Sequence, residues 1–251
     1  MSQVVKLPNH QLAAYLDQVG AAGVFSRYVI ARQPDAESLA VVENGRVVGT
    51  AVAGSSVGLF EAYSHWIFAG SPEAALLLAQ ATRNDSPALN FPLSYLDQVQ
   101  ATYPQHQISV DRLYVLPQSR FHAARGAAPV QRIDAAALQM LDVPAELQPL
   151  IGAADAWTGD YTLHGIVLQH TLVCIGETIV QDQHYGAIQQ IYTLPAYRGR
   201  SLAQQLVSAC CDSLLAQHKL PIYVAAEDNL PSRHLAEKLG FLLDSRYGYL
   251  V

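Results

Sequence analysis

Thr193-Leu194-Pro195-Ala196-Tyr197-Arg198-Gly199-Arg200-Ser201-Leu202-Ala203 joins a strand to a helix. Ahead of it, Ala187 to Thr193 has the composition of a strand. Behind it, from about Ser201 to His218, Leu202, Leu206, Cys210 and Leu214 recur every four residues and define one apolar helix face. The first turn of a helix has backbone N–H groups without partners inside the helix, and they point outward with the positive end of the dipole. A pyrophosphate fits such a place. Gly199 lets the backbone approach a phosphate, while Ser201 and Ala203 are small enough to keep that approach open. Arg198 and Arg200 can add charge-assisted hydrogen bonds. Taken alone, the turn is also what any strand-to-helix connection needs.

The rest of the composition narrows the field. The chain has 251 residues and a formal net charge of −6, with 51% hydrophobic and 14% charged residues. That suffices for a sizeable core and excludes wholesale disorder. The acidic balance argues against non-specific nucleic-acid binding, which needs a basic face. No apolar run reaches the roughly 18 residues of a membrane span, and the N-terminal residues do not read as an export signal. Three cysteines, two of them adjacent (Cys210 and Cys211), form neither a disulfide framework nor a zinc spacing. No metal site is expected, and a reducing cytoplasmic setting fits.

Working outward, the second half continues with a strand at 222–226 and a short helix at 231–239. Pro231 suits that helix's first turn, and Gly240 the position just past its end. A last strand covers 241–251, with a bend expected at Gly248. Upstream lie a strand at 130–133, a helix at 134–141 and a hairpin at 164–180. The first half echoes this order at an offset of 125 residues, which pairs Val5 with Val130, Leu16 with Leu141, Val42 with Val167 and Val48 with Val173. Its hairpin turns at Glu43-Asn44-Gly45-Arg46, a strong hairpin signal. The fold class read from this order is α/β, a mixed and mostly antiparallel sheet with flanking helices, in two tandem copies. The Ala-, Gly- and Pro-rich stretch 123–129 supplies the joint, giving units 1–125 and 126–251.

The segment Ile191-Tyr192-Thr193 through Ala203 resembles the phosphate loop of the GNAT superfamily of acyl-CoA-dependent N-acyltransferases, which reads Gln/Arg-x-x-Gly-x-Gly/Ala after a strand. A second family element follows in the right order: the strand 222–226, Asn229, Ser232, then Glu237-Lys238-Leu239-Gly240-Phe241. The resemblance covers about residues 128–251. It implies acetyl-CoA as co-substrate, held by Ile191, Tyr192, Thr193, Arg198, Gly199, Arg200, Ser201, Leu202, Ala203, Asn229 and Ser232. It also implies transfer of an acetyl or other short acyl group to a primary amine on a small molecule or peptide. Two positions depart from the family pattern. Ser201 stands where the loop often has Gly. Ala236 stands where many members carry the Tyr that protonates the leaving thiolate. The first half resembles a degenerate copy, since Ala69-Gly70-Ser71-Pro72-Glu73 lacks the Arg and Gly pattern and is expected to bind no CoA.

Amine acylation needs a base, a polarised carbonyl and an acid for the departing thiolate. The resemblance points to a backbone N–H near Ile191 or Tyr192 for the carbonyl. Glu177, His184 and Glu227 are the candidate bases, Gln189 and Gln190 can orient a substrate, and Tyr247 or Tyr249 can supply the acid. Each of these residues has a purely structural reading as well. The missing Tyr keeps open a non-catalytic protein that binds acyl-CoA as a sensor. Gly54-Ser55-Ser56-Val57-Gly58 matches a hydrolase nucleophile elbow but has no clear helix after it. The acceptor's identity and the oligomeric state, a homodimer included, are left open by the sequence.

Overall fold

In the computed structural model the residues described are 2–54, 64–83, 88–126, 128–151, 161–180 and 182–250. Ser56, and with it the elbow-like match, lies outside them. The chain divides into two compact units. The first comprises Met1–Leu113, Ala226–Asp228 and Asp244–Val251; the second comprises Tyr114–Ala225 and Asn229–Leu243. The division therefore differs from the expected one at 125/126 in two ways. It falls earlier, and the end of the chain belongs to the first unit.

The first unit contains β1 (Gln3–Pro8), α1 (Ala13–Gln18), α2 (Val24–Arg32), β2 (Glu37–Glu43), β3 (Arg46–Gly54), β4 (Ser64–Ala69), α3 (Pro72–Thr82), β5 (Leu89–Pro92), α4 (Leu96–Thr102) and the start of β6 (Ile108–Val115). The second contains β7 (Val130–Ile133), α5 (Ala135–Met140), β8 (Tyr161–Leu168), β9 (Thr171–Val180), β10 (Tyr185–Thr193), α6 (Leu202–Ala216), most of β11 (Leu220–Ala226) and α7 (Leu230–Leu239). The final strand, β12 (Leu242–Leu250), starts in the second unit and ends in the first.

The two units repeat one topology. In the first, β1, β2, β3 and β4 pair antiparallel in order and β4 pairs parallel with β5. In the second, β7, β8, β9 and β10 do the same and β10 pairs parallel with β11. Each unit is thus a mixed, mostly antiparallel sheet with helices beside it. Within the first unit, β12 pairs antiparallel with β5, Tyr247 facing Pro92 and Tyr249 facing Asn90. The Gly248 Cα lies so close to the Phe91 ring that a Cβ would sit 2.4 Å from it. Gly248 is therefore a close-approach position inside the strand.

Both hairpins turn through two residues at positive φ, which matches the right-handed twist of the flanking strands. Asn44 (φ 50°) and Gly45 (φ 76°) tolerate this, but Gln169 (φ 49°) and His170 (φ 72°) occupy the same geometry without a glycine. Strand pairing on both sides overrides a local penalty of about 1–2 kcal/mol per residue. The α6 stripe is buried as its period predicts, with Leu206, Cys210 and Leu214 fully inaccessible. Each large apolar side chain so buried contributes about 1.5–3 kcal/mol. Gly186 and Gly176 give α6 room, because a Cβ on either would lie 2.4 Å from Leu214 or Leu206. α7 ends at Gly240 (φ 99°), where a Cβ would fall 1.9 Å from the Arg120 carbonyl oxygen. Among the described residues, no helix is long and apolar enough to cross a membrane.

Candidate active site

The second unit gathers the phosphate turn, the helix behind it and α7 around one pocket. β10 runs beside β11 from the pair Tyr185–Leu220 to the pair Ile188–Tyr223, and the parallel ladder stops there. On its other edge β10 stays with β9, but the register shifts between Gln189 and Tyr192, and Gln190 takes a left-handed φ of 53°. This is a bulge, a device that re-aims a strand. β10 from Gln189 onward therefore lies beyond the parallel ladder, as expected of a strand that splays from its neighbour. Thr193 is at that edge: its carbonyl accepts a 3.0 Å hydrogen bond from Arg198 Nε.

Past Leu194 the chain makes a short 3-10 turn, Pro195–Tyr197, and then two left-handed residues, Gly199 (φ 77°) and Ser201 (φ 58°). Nothing lies within 4 Å of a Cβ built on Gly199. Glycine is needed there for its dihedral and leaves its backbone open. Ser201 is the N-cap of α6, yet its side chain makes no capping hydrogen bond. Gln205 N–H reaches the Ser201 carbonyl, which leaves the N–H groups of Leu202, Ala203 and Gln204 as the helix's uncapped donors.

The corresponding helix of the first unit is closed. α3 has Pro72, which carries no N–H, at its start, and Ser71 Oγ accepts from Ala74 N at 3.2 Å. Ala75 N–H goes to the Ser71 carbonyl. In that unit Trp66 is buried against Phe25 and Tyr247, with ring centroids 4.9 and 5.7 Å away.

A cavity of about 340 Å³ lies against the turn. Thr193, Arg198, Gly199, Ser201, Leu202 and Ala203 line one side, and α7 supplies Pro231, His234, Leu235 and Lys238 on the other. Among the described residues no carboxylate lines it. Arg198 folds over the Tyr192 ring (5.4 Å) and Arg200 over the Tyr197 ring (5.2 Å). Arg200 also donates to the Ala196 carbonyl at 3.3 Å. Ile191, Tyr192, Arg200, Asn229 and Ser232 do not line the cavity. Asn229 Oδ1 instead caps α7 by accepting from Ser232 N at 3.2 Å, and Ser232 Oγ meets the Tyr223 hydroxyl at 2.8 Å. His234 and Lys238 are the residues that motif reading missed. Their spacing of four on a helix was the available signal, since it puts both on one face.

A polar trio occupies the sheet face turned away from α6. Gly176 and Gly186 face α6, so by strand alternation Glu177 and Gln189, which pair with each other, point the other way. Glu177 is only 3% exposed. It accepts a 2.5 Å hydrogen bond from the Tyr161 hydroxyl and a long, 3.5 Å one from Gln189 Nε2. Burial raises its carboxyl above the usual range, and the two hydrogen bonds partly offset that. His164 points toward α6, hydrogen-bonded to Thr178 at 3.1 Å, and burial lowers it to about 4.

The other acid and base candidates stand elsewhere. Glu227 belongs to the first unit and is clasped by two guanidinium groups: Arg112 at 2.8 and 2.7 Å, Arg246 at 3.2 and 3.0 Å. These hold its carboxyl down at about 2, so it is a poor proton acceptor. Tyr247, also in the first unit, is 3% exposed and donates to the Ala22 carbonyl at 2.7 Å. Burial raises its hydroxyl well above the ordinary value. Both residues have structural partners that account for them. Tyr249 lies on the same strand, opposite Asn90. His184 is exposed in the β9–β10 turn, at the opposite end of β10 from the phosphate turn. Ala236 is fully buried on α7.

A splayed and bulged strand, a left-handed turn and an uncapped helix start meet at one cavity of this α/β unit. Residues 142–241, most of which lie in the second unit, match the sequence model of the acetyltransferase (GNAT) family. That family transfers acyl groups from acyl-CoA, with acetyl-CoA as co-substrate. The whole chain has the fold of a tandem GNAT protein from the clavulanic acid biosynthesis pathway, at a TM-score of 0.64 and 15% identity, covering 100% of this chain and 98% of that one. It is similarly close to a GCN5-related N-acetyltransferase-like protein from Streptococcus suis, with a TM-score of 0.61, 14% identity and coverage of 96% and 98%. A Drosophila protein shares the fold as well, with a TM-score of 0.68, 12% identity and coverage of 99% and 98%. No curated protein sequence matches the chain.

Proposed function

We propose that the second unit transfers an acyl group, most simply acetyl, from acyl-CoA to a primary amine. The observation that carries this is the contrast between two equivalent helix starts: α6 is uncapped behind two left-handed residues, whereas α3 is closed by Ser71 and Pro72. The uncapped amides of Leu202, Ala203 and Gln204 fit a pyrophosphate, with Arg198 as a charge-assisted donor. His234 and Lys238 add positive charge from α7. The bound coenzyme supplies an activated thioester.

The chain's own residues supply the rest. The edge of β10 beyond Ile188 offers backbone N–H groups to a developing oxyanion. Glu177, on the strand next to β10, takes one proton from an incoming ammonium and leaves the amine neutral for attack. As the new C–N bond forms and the C–S bond breaks, the second amine proton is free to leave through solvent to the thiolate. With Ala236 in place of a Tyr, this account asks no side chain of α7 to act as the acid.

The test is thiol release from acetyl-CoA across a panel of primary amines, beside calorimetric titration of CoA. Turnover that Glu177→Gln lowers at least about 100-fold, with CoA affinity unchanged, supports the reading. Tight CoA binding without turnover on any amine would favour the sensor reading, which the buried Ala236 methyl motivates.

A further inference from the structure

The Ala-, Gly- and Pro-rich stretch 123–129 reads in sequence as a joint between two halves, yet it lies well inside the second unit. Its composition has another use there. Ala124 N–H donates to Ser208 Oγ at 2.9 Å, and Arg125 pairs with Asp212 at 3.4 Å, so the stretch is fastened to α6. At Gly126 a Cβ would fall 2.0 Å from the Gln205 amide. A cavity of about 220 Å³ lies between this stretch and α6, and it shares no lining residue with the cavity at the phosphate turn. Gln205, Ser208, Ala209 and Asp212 form its α6 wall. Their spacing of three, four and seven places them on one helix face. Alanine and glycine make up most of the opposite wall and keep the space open.

The polar groups of this cavity are incompletely matched. Gln205 Oε1 is buried without a hydrogen-bond partner, and its amide can swing about the terminal bond to offer either end. Ser208 Oγ accepts from Ala124, which leaves its own proton for a further acceptor. Among the described residues the lining holds one cation and one anion, Arg125 and Asp212, whose side chains are 80% and 41% exposed. An ion pair so exposed is weak and opens readily to a third charged group. A lone phosphate would meet Asp212, a lone ammonium would meet Arg125, and an apolar ligand would strand the amide and the hydroxyl. Charge of both signs stands at the Asp212 end of the helix face, and a neutral amide stands about 10 Å along it at Gln205. We propose that this cavity is a binding site for a free α-amino acid with a side-chain amide. Its ammonium goes to Asp212, its carboxylate to Arg125 and the Ser208 proton, and its amide pairs with the Gln205 amide. This site is independent of the coenzyme reading and needs no acyl transfer.

The experiment titrates the full-length chain with L-glutamine, with glutaramic acid, which lacks the ammonium, and with L-norleucine, which lacks the amide. Ligand-observed NMR follows binding. A hydrogen bond to a charged group implies at least about tenfold tighter binding of glutamine than of glutaramic acid, and loss of the amide pair should weaken norleucine by about fivefold or more. Asp212→Asn should bring glutamine down to the level of glutaramic acid. Ala209→Leu, which fills the cavity, should abolish binding of all three, and thermal melts like that of the wild type show that both variants fold. Equal binding of the three probes by the wild type, or no binding of glutamine at millimolar concentration, would overturn the inference without recourse to any variant. So would an Ala209→Leu protein that folds normally and still binds glutamine.

Discussion

Replacing Gly199 by alanine and, separately, by glutamate divides two effects that a single variant would mix. Gly199 sits at φ 77°, where an L-residue costs about 1–2 kcal/mol, and both replacements bear that cost equally. In both variants the new Cβ meets no atom within 4 Å. The difference between the two variants therefore isolates one negative charge at the rim of the phosphate turn. At a separation of about 5 Å and an effective dielectric of roughly 20–80, one pair of like charges costs about 1–3 kcal/mol. That corresponds to a roughly five- to 150-fold gap in the Kd for CoA, shrinking as salt is added. Isothermal titration of CoA into wild type, Gly199→Ala and Gly199→Glu at two ionic strengths measures it. If the two variants bind CoA with the same Kd, the turn does not hold the diphosphate and the reasoning fails.

Gly240→Ala should destabilise the second unit by more than about 3 kcal/mol, because it adds a collision with the Arg120 carbonyl to the left-handed penalty; thermal melts should show a much larger drop than for Gly199→Ala. Glu177 must be ionised to accept a proton and burial raises its carboxyl, so kcat/KM should climb with pH through a value above the ordinary carboxylate range. That limb should vanish in Glu177→Gln, and its persistence would assign it to another group. Asp111 is raised to about 6 by burial and by Asp228, so the folded state binds its proton more tightly than the unfolded chain does. Its stabilising contribution is full below about pH 4 and is lost as pH rises through 6. Asp111→Asn should therefore gain stability over wild type between pH 4 and 7, by about 1 kcal/mol once solvent screening of a partly exposed carboxyl is allowed for. Urea unfolding at the two pH values tests the sign.

The amino-acid order by itself determined the features that depend on neighbours in the chain. The Asn44-Gly45 turn, the apolar spacing of α6, Pro231 at the start of α7 and Gly240 at its end each express a backbone or side-chain preference within a few residues. The strand–turn–helix around Gly199 was legible for the same reason, and so was the repeat, because both copies keep the same local order. Tertiary structure alone decided what depends on which distant edge is adjacent. Glu227 meets Arg112 across 115 positions and Tyr247 reaches Ala22 across 225, so neither could be told from a solvated acid or a free hydroxyl by its surroundings in sequence. Likewise, nothing local says that β12 ends in the first unit, since a strand's own pattern specifies a buried face but not the edge it joins. Glu177 looked like any isolated acid until β8 and β10 came alongside it. Its burial and its bonds to Tyr161 and Gln189 are properties of that neighbourhood, created when three strands align, and no single segment carries them.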